Sequence, residues 1–356
     1  MSNSTEMQSN PIKAGWESPS NIALIKYWGK HGKQLPRNSS VSFTLSTAAT
    51  RTFVTIKDEN TTGKVELDFI FNGKENQAFS TRVEKFLNSI CDEYFTFLKK
   101  YSIHIDTSNS FPHSSGIASS ASGMSALALC LCDIENQLND KTNFDENFYL
   151  KASEVSRLGS GSACRSIYPE VAVWGQHEDI PGSSDEYAIG IRHQIHPVFK
   201  SFHDDILIIS AGEKSVSSTA GHNLMEGNPF APVRYQQANQ RMKLLITALK
   251  QGNISDFGKI AEDEAMTLHA LMMCSDPSYI LMEEGTLSVI RKIKQFREQT
   301  SIPVFFTLDA GPNVHVLYPD EVESQVNAFI QNELKPYCNE GRIIRDKVGT
   351  GPEKIS

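Results

Sequence analysis

The sequence lacks several features that would assign it to a familiar class of proteins. No stretch approaches the roughly 18 consecutive apolar residues that a membrane-spanning helix needs. The polar start Met1–Ile12 has no apolar core of a secretion signal. The formal net charge of −8 disfavours a broad surface for nucleic acid or for an anionic membrane. It leaves room for a local basic pocket that binds a small anion.

The cysteines show no paired spacing. None of the six belongs to a C-x-x-C motif, which disfavours a zinc site and a disulfide framework. Cys130 and Cys132 fall in an apolar helical stretch and are typical of a protein core. We therefore expect reduced thiols in a cytoplasmic protein, with no metal ion held by protein side chains alone.

Strand-like and helix-like segments interleave along the chain. They follow no regular βαβ period, which predicts an α+β fold. The 356 residues are enough for two domains at roughly 100–200 residues each. We expect a disordered tail at residues 1–13, an N-terminal domain at 14–200 and a C-terminal domain at 201–356.

Local signals predict particular elements. Asn72-Gly73 follows a loosely alternating segment and predicts a hairpin turn. Thr81 and Glu84 have the spacing of a capping box, which predicts the start of a helix there. The apolar segments Val304–Leu308 and Val314–Tyr318 predict a second hairpin.

A loop of small residues leads into a helix between Asn109 and Gly123. Small side chains let a ligand approach the backbone, and the free N–H groups of a first helical turn favour a phosphate. The loop has no GK[ST] and is not a Walker A motif. Taken alone, it fits a small-residue helix packed against a sheet equally well. The residues that would cradle the phosphate are Gly116, Ile117, Ala118, Ser119, Ser120 and Ala121.

Two other segments carry basic side chains in unusual surroundings. Lys26 and Lys30 lie among apolar and aromatic residues, where a compact ammonium suits phosphate oxygens. Surface lysines on a strand or turn are the alternative. The loop 159–166 contains serines and Arg165, whose guanidinium could grip a carboxylate or a phosphate. A glycine-rich turn with a surface arginine is the alternative there.

An acidic residue stands at the end of an apolar strand near the C-terminus. Asp309 is followed by Ala-Gly-Pro-Asn313, which forces a tight turn. A carboxylate in this place could point into a cleft and accept the proton of a substrate hydroxyl during phosphoryl transfer. The alternative is an aspartate that caps its own turn.

The order and spacing of these motifs resemble one family. The motifs that carry the resemblance are Asn21-Ile-Ala-Leu-Ile-Lys-Tyr-Trp-Gly-Lys30, Leu35-Pro-x-Asn-Ser-Ser40, Phe111-Pro-x-x-x-Gly-Ile-Ala-Ser-Ser-Ala121, Gly159-Ser-Gly-Ser-Ala-Cys-Arg-Ser166, Val216-Ser-Ser-Thr219 and Asp309-Ala-Gly-Pro-Asn313. Over residues 14–330 the chain resembles the mevalonate diphosphate decarboxylases, which belong to the superfamily of galactokinase, homoserine kinase and mevalonate kinase. The first, fourth and last motifs are specific to the decarboxylases, whereas the phosphate loop indicates only the superfamily.

The resemblance implies a fold and a reaction. The fold is a GHMP-kinase-like pair of domains, the first like domain 2 of ribosomal protein S5 and the second ferredoxin-like, with the active site in the cleft between them. ATP phosphorylates the C3 hydroxyl of mevalonate 5-diphosphate, and loss of that phosphate drives decarboxylation to isopentenyl diphosphate. The resemblance also implies Mg²⁺ with the ATP, held largely by phosphates, and a homodimer.

The resemblance further implies roles for individual residues. Asp309 would orient and deprotonate the C3 hydroxyl, and Lys26 would stabilise the phosphoryl group. Arg165 would hold the substrate carboxylate. The segment 116–121 would hold the ATP phosphates. The remaining substrate-binding residues would be Asn21, Ser160 and Ser162 at the carboxylate, Tyr27, Lys30 and Ser218 at the 5-diphosphate, and Arg82 as a further basic contact.

Two departures from the family pattern bear on the substrate. His113-Ser114-Ser115 stands where smaller or apolar residues are expected, and His222 stands where the family often has methionine. Mevalonate 5-phosphate is therefore an alternative substrate. Two further hypotheses are a kinase that stops after phosphorylation and a catalytically inactive homologue. The presence of both Lys26 and Asp309 argues against these two.

Overall fold

The computed structural model describes residues 11–111, 119–212, 216 and 218–355. Within these residues the strands in chain order are β1 (Lys13–Ile25), β2 (Lys30–His31), β3 (Leu35–Pro36), β4 (Ser40–Glu59), β5 (Glu66–Phe71), β6 (Lys74–Glu75), β7 (Tyr101–Asn109), β8 (Val171–Trp174), β9 (Ala188–Gly190), β10 (His203–Leu207), β11 (Phe305–Thr307), β12 (Val314–Tyr318), β13 (Ile343–Ile344) and β14 (Glu353–Lys354). The α-helices are α1 (Gln77–Ile90), α2 (Ser119–Leu138), α3 (Glu146–Gly159), α4 (Ser218–Asn223), α5 (Ala231–Gln251), α6 (Ile254–Met273), α7 (Glu284–Thr300) and α8 (Glu323–Phe329). None of these helices is both long and apolar enough to cross a membrane.

Two long strands organise the N-terminal half. β1 and β4 pair antiparallel with register shifts near Pro19 and Ala23, so each strand continues past an irregularity. The far half of β4 pairs with β7, and its first half pairs with β8. The sheet order is β14-β1-β4-β7-β5-β6, with β8 and β9 attached to β4. β1 is buried along almost its whole length, and Lys26, the residue that follows it, is buried as well.

Small residues let α2 lie close to this sheet. Ser18 and Ser125 share a hydrogen bond of 2.6 Å between their hydroxyls, and Thr50 and Ser122 share one of 2.7 Å. Bulky side chains at these places would separate the helix from β1 and β4. The packing sets the first turns of α2 against the middle of the two long strands, where Ser18 pairs with Thr50.

The C-terminal half is built on a second, antiparallel sheet with the order β11-β12-β10-β13. The helices α5, α6 and α7 accompany it, and one hydrophobic cluster joins residues of β1, β4 and β8 to residues of α5, α6 and β12. The chain then returns to the first half, because Trp16 and Glu17 of β1 pair with Lys354 and Glu353 of β14. The two halves therefore share a buried contact.

Several element predictions are confirmed and others are wrong. The turn at Asn72-Gly73 joins β5 to β6, and β11 pairs with β12 as predicted. The predicted capping box is wrong: α1 begins at Gln77, because the Asn76 side chain accepts the Phe79 N–H. The predicted tail overlaps β1, which begins at Lys13. Residues 1–10 of that tail lie outside the described part of the chain.

Candidate active site

The end of β1 meets the turn after β11 in a direct ion pair. Lys26 Nζ lies 3.1 Å from Asp309 Oδ1, although the two residues are 283 positions apart in the chain. The Lys26 side chain is 2% exposed, while the Asp309 side chain is 28% exposed. The backbone carbonyl of Asp309 accepts a hydrogen bond from His269 Nε2 of α6 at 3.1 Å. The lysine is thus buried, and its carboxylate partner faces open space.

Burial and charge act in opposite directions on Lys26. Burial lowers the pKa of its ammonium below the usual value, and the negative charges of Asp309, Glu264 and Asp204 partly restore it. An ammonium whose charge is poorly solvated is attracted strongly to a nearby anion. The pair can therefore offer a carboxylate that accepts a proton and a cation that receives phosphate oxygens.

A second buried cation lies beside this pair. Arg165 belongs to the short 3-10 segment Gly161–Ile167, and its guanidinium donates to Ser42 Oγ at 3.1 Å, Ser40 Oγ at 2.7 Å and Asn21 Oδ1 at 3.3 Å. These acceptors are all neutral. Burial lowers the pKa of Arg165, whereas the charge of nearby Asp309 raises it.

Arg165 has no anionic partner among the residues that the structure describes. A buried guanidinium without a carboxylate is costly, so its place is suited to an anion that arrives with a ligand. The two serine hydroxyls of β4 orient the Arg165 guanidinium without neutralising its positive charge.

The second predicted small-residue loop contacts the start of α2, the helix that follows the first. Ser160 Oγ lies 3.2 Å from Ser120 Oγ in the first turn of α2. Asn21 donates to the Ser162 carbonyl at 3.0 Å and to Ser166 Oγ at 2.8 Å. The loop after α3 therefore contacts both the start of α2 and β1.

A cavity of about 180 Å³ opens at the N-terminus of α2. Apolar side chains from β5, β7, α1 and α2 form most of its wall. Arg82 of α1, together with Ser119 and Ser120, supplies polar groups. An apolar chamber beside a helix N-terminus fits a flat aromatic base whose phosphates face the helix. Arg82 lies inside α1, and not at the start of the helix as the capping box predicted.

The segment after Lys26 packs against a partly buried histidine of α4. The His222 ring stands 4.3 Å from the Tyr27 ring and 4.6 Å from the Trp28 ring, measured between centroids. Its Nδ1 accepts the Gly29 N–H at 3.0 Å. Lys30 Nζ donates to Gln34 Oε1 at 2.9 Å. The imidazole therefore holds α4 against the residues predicted to bind the diphosphate.

Burial, followed by the charge of Lys30, lowers the pKa of His222 to about 3. The unfolded chain therefore binds more protons between pH 3 and about 6.5, so this group stabilises the fold above pH 6.5 and loses that effect as the pH falls. Lowering the pH from 7.5 to 5.0 should cost about 2 kcal/mol through His222 alone. We expect His222→Met to be less stable at pH 7.5 but to lose less stability on acidification.

Thermal denaturation of both proteins at the two pH values measures this difference. His193→Gln, which changes an exposed histidine, is the matched control and should retain the acid sensitivity of the parent chain. An equal loss of stability in His222→Met and in the parent chain would contradict the assignment.

Some predicted site residues lie outside the described part of the chain, and two others are wholly or partly buried. Gly116, Ile117, Ala118 and His113 lie outside the described residues, and so does the side chain of Ser218. Ala121 is fully buried in the first turn of α2 and does not line the cavity. The Tyr27 hydroxyl is buried and has no hydrogen-bond partner among the described residues.

The sequence analysis missed several residues of the site. Ser40 and Ser42 hold Arg165, and their spacing of two along a strand was the available signal, because it places both hydroxyls on one face. Glu264 accepts the Lys26 N–H at 2.9 Å. No pattern in the sequence could have linked these two residues, which are 238 positions apart.

Models of two protein families match the chain. The family described as "Diphosphomevalonate decarboxylase-like N-terminal domain" matches residues 18–188. The family described as "Mevalonate 5-diphosphate decarboxylase C-terminal domain" matches residues 205–354. The diphosphomevalonate decarboxylase of Aspergillus fumigatus is 31% identical and is covered over 81% of its length by 91% of this chain. That of Saccharomyces cerevisiae is 30% identical, with 79% of its length and 88% of this chain covered.

Solved structures share the fold over nearly the whole chain. Mevalonate diphosphate decarboxylase from Staphylococcus aureus superimposes with a TM-score of 0.83 at 27% identity, over 99% of this chain and 100% of the other. A complex of the protein called MDDEF with MVAPP, AMPPCP and magnesium has a TM-score of 0.81 at 29% identity, over 98% of this chain and 100% of the other. The predicted α+β, two-domain fold class is thereby confirmed. The chain belongs to the diphosphomevalonate decarboxylase family.

Proposed function

We propose that Asp309, Lys26 and Arg165 carry out the family reaction, the ATP-dependent decarboxylation of mevalonate 5-diphosphate to isopentenyl diphosphate, ADP, phosphate and CO₂. The observation that carries this proposal is the ion pair between Lys26 and Asp309, which joins the end of β1 to the turn after β11. This ion pair supports the proposal because phosphoryl transfer to a hydroxyl uses both a proton acceptor and a cation for the phosphate oxygens.

Asp309 acts on the C3 hydroxyl. Its partly exposed carboxylate accepts a hydrogen bond from the hydroxyl and takes its proton as the oxygen attacks the terminal phosphoryl group of ATP. The Lys26 ammonium lies 3.1 Å from the same carboxylate and compensates the charge that develops on the transferred phosphoryl oxygens.

Arg165 acts on the carboxylate of the substrate. The buried guanidinium receives the C1 carboxylate, which supplies the negative charge that its neutral partners Ser40, Ser42 and Asn21 do not. When phosphate leaves C3, the C1–C2 bond breaks, its electrons form the C2–C3 double bond, and CO₂ departs. Holding the carboxylate in one orientation aligns that bond with the departing phosphate.

ATP fits the cavity at α2. Its base would lie among the apolar side chains, and its phosphates would meet the N-terminus of α2 near Ser119, Ser120 and Arg82. Within the described residues, the group of side chains whose geometry suits a metal ion is His203, Asp320 and Glu323, to which Asp309 does not belong. A Mg²⁺ bound with ATP would be held mainly by phosphate oxygens and would neutralise part of their charge.

Filling the cavity should weaken ATP binding selectively. A Cβ atom on Gly123 would meet no atom within 4 Å. In Gly123→Leu the side chain should extend into the space assigned to the base and raise the KM for ATP at least about tenfold. The KM for mevalonate 5-diphosphate should stay close to that of the parent chain.

Gly123→Ala is the graded comparison. It should raise the free energy of unfolding by about 1 kcal/mol, since glycine is unfavourable inside a helix. It should change the KM for ATP less than leucine does. Equal effects of Gly123→Leu on both KM values would refute the location of the nucleotide.

A product assay tests the proposed reaction. Purified protein is incubated with ATP, Mg²⁺ and, separately, mevalonate, mevalonate 5-phosphate or mevalonate 5-diphosphate, and ADP and CO₂ are followed together. Equal amounts of both products with the diphosphate alone are expected. The same products from the monophosphate would identify the alternative substrate, and ADP without CO₂ would identify a kinase.

One observation keeps the monophosphate as a second candidate. His222 occupies the volume between Tyr27 and Trp28 beside Lys30, so the pocket for the far end of the substrate contains a neutral imidazole. The domain division at residues 200 and 201, a homodimer in solution and a cytoplasmic location remain part of the proposal. Light scattering of the purified chain measures the oligomeric state.

A further inference from the structure

A buried carboxylate outside the reaction centre contacts the backbone of the catalytic lysine. Glu264 of α6 is fully buried and forms a two-point ion pair with Arg234 of α5, at 2.7 and 2.6 Å. Arg241 of α5 donates to the same carboxylate at 2.9 Å. Burial alone would raise the pKa of Glu264, but the two arginines lower it below its usual range. The carboxylate is thus a fixed negative charge in the interior.

Glu264 and Arg234 form hydrogen bonds with both the N–H and the carbonyl of Lys26. Glu264 Oε2 accepts the Lys26 N–H at 2.9 Å. The Lys26 carbonyl accepts hydrogen bonds from Arg234 Nη2 at 3.2 Å and from Asn38 Nδ2 at 3.0 Å. Lys26 is the first residue after β1, so no sheet ladder holds it. Side chains of α5 and α6 replace the ladder at this position.

We propose that Glu264, together with Arg234, is a positioning residue that holds Lys26 in its catalytic orientation across the two halves of the molecule. The inference rests on the function proposed above, because it takes Lys26 as the cation that receives the phosphoryl group. Holding the backbone directs the buried side chain to Asp309, where Nζ and Oδ1 are 3.1 Å apart. A displacement of about 1 Å in a catalytic group costs roughly 100-fold in rate.

Glu264 also has an electrostatic effect on Lys26. Its negative charge raises the pKa of the buried ammonium, in the direction opposite to burial. Lys26 must be protonated to attract phosphate oxygens, so activity is lost as the pH rises through its pKa. Removal of the Glu264 charge should therefore move the alkaline limb of the rate profile to lower pH. A purely structural ion pair would leave that limb in place.

The chain offers a matched control on the same helix. Glu262 of α6 forms a two-point ion pair with Arg297 of α7, at 2.7 and 3.1 Å, and is also nearly buried. Its contacts lie on the side of α6 that faces α7 and β11. Glu262→Gln therefore removes the same kind of pair as Glu264→Gln without touching Lys26.

The experiment compares the full-length parent chain with Glu264→Gln and Glu262→Gln. Thermal denaturation, kcat, both KM values and the pH dependence of kcat are measured. We expect both variants to lose stability. Only Glu264→Gln should lower kcat, by about 10- to 100-fold, with small changes in KM and an alkaline limb at lower pH.

A second readout does not depend on turnover. Competitive labelling of lysine amines at a series of pH values, followed by mass spectrometry, reports the pKa of Lys26 directly. Lys26 should be labelled at lower pH in Glu264→Gln and at the parent pH in Glu262→Gln. If the parent chain made no CO₂, the proposed function would fail, and this labelling difference would still test the inference.

Arg234→Lys is the second variant, in case Glu264→Gln does not fold. It keeps a cation beside Glu264 but removes the guanidinium group, whose Nη2 donates to the Lys26 carbonyl. We expect a lower kcat with an unchanged alkaline limb. Equal kcat and equal labelling of Lys26 in the Glu264 and Glu262 variants, or a normal kcat in Arg234→Lys, would overturn the proposal.

Discussion

Asp309→Asn is expected to abolish ADP and CO₂ release together, with kcat reduced about 10³-fold. The amide cannot take the proton of the C3 hydroxyl, so the chemistry stops before either product forms. It also removes the charge that raises the pKa of Lys26, which weakens the ammonium that receives the phosphoryl group. Coupled assays for ADP and CO₂ on the same sample measure the result.

The control for this variant is Asp320→Asn. Asp320 is exposed and contacts His203, away from Lys26. It should have the kcat of the parent chain and a similar melting temperature. Release of ADP at a normal rate by Asp309→Asn, with or without CO₂, would refute the role of Asp309 as the base.

Arg165→Gln should lower kcat/KM for mevalonate 5-diphosphate by at least about 100-fold, since removing one member of a buried ion pair costs about 3–5 kcal/mol. The expected cost to the free protein is much smaller. In that state the guanidinium is buried among the neutral acceptors Ser40, Ser42 and Asn21 and has no carboxylate partner among the described residues. Replacing it removes an unfavourable charge together with its hydrogen bonds.

Thermal denaturation with and without mevalonate 5-diphosphate separates these two effects. The ligand should raise the melting temperature of the parent chain by mass action and leave Arg165→Gln nearly unchanged. Arg297→Gln is the control: it breaks the ion pair with Glu262, should lower the melting temperature and should keep the ligand effect. A full ligand effect in Arg165→Gln would mean that the substrate carboxylate binds elsewhere.

The two predictions share one physical basis. Lys26 and Arg165 are both buried cations whose solvation is poor, and only Lys26 has a carboxylate within ion-pair distance in the described part of the chain. The site therefore stores an unbalanced positive charge that an anionic substrate can neutralise. On the proposed function, this charge lowers the stability of the free protein, and its neutralisation by the substrate contributes to binding.

The sequence by itself determined the fold class and the family, and it proposed Asp309, Lys26 and Arg165 as the reacting residues. Short motifs such as the one around Lys26 and the turn after Asp309 carry this information because backbone geometry and charge at a reaction centre tolerate few residue types. It also predicted the hairpin at Asn72-Gly73, since that dipeptide favours a two-residue turn through local conformation alone.

Local patterns failed where competing signals stood close together. The start of α1 was misplaced because Thr81 and Glu84 have capping-box spacing, while Asn76 lies earlier and caps the helix directly. Both patterns are compatible with the sequence. The end of β6 just before Asn76 decides between them, and that depends on pairing within the sheet.

The tertiary structure alone decided how the proposed reacting residues are supported. Ser40 and Ser42 hold Arg165, Glu264 and Arg234 hold the backbone of Lys26, and His222 holds the segment that follows it. These contacts join residues up to 238 positions apart, and those of Glu264, Arg234 and His222 depend on how the two halves pack. Burial then sets the charge of each group, because solvation is a property of the folded molecule and not of the residue type.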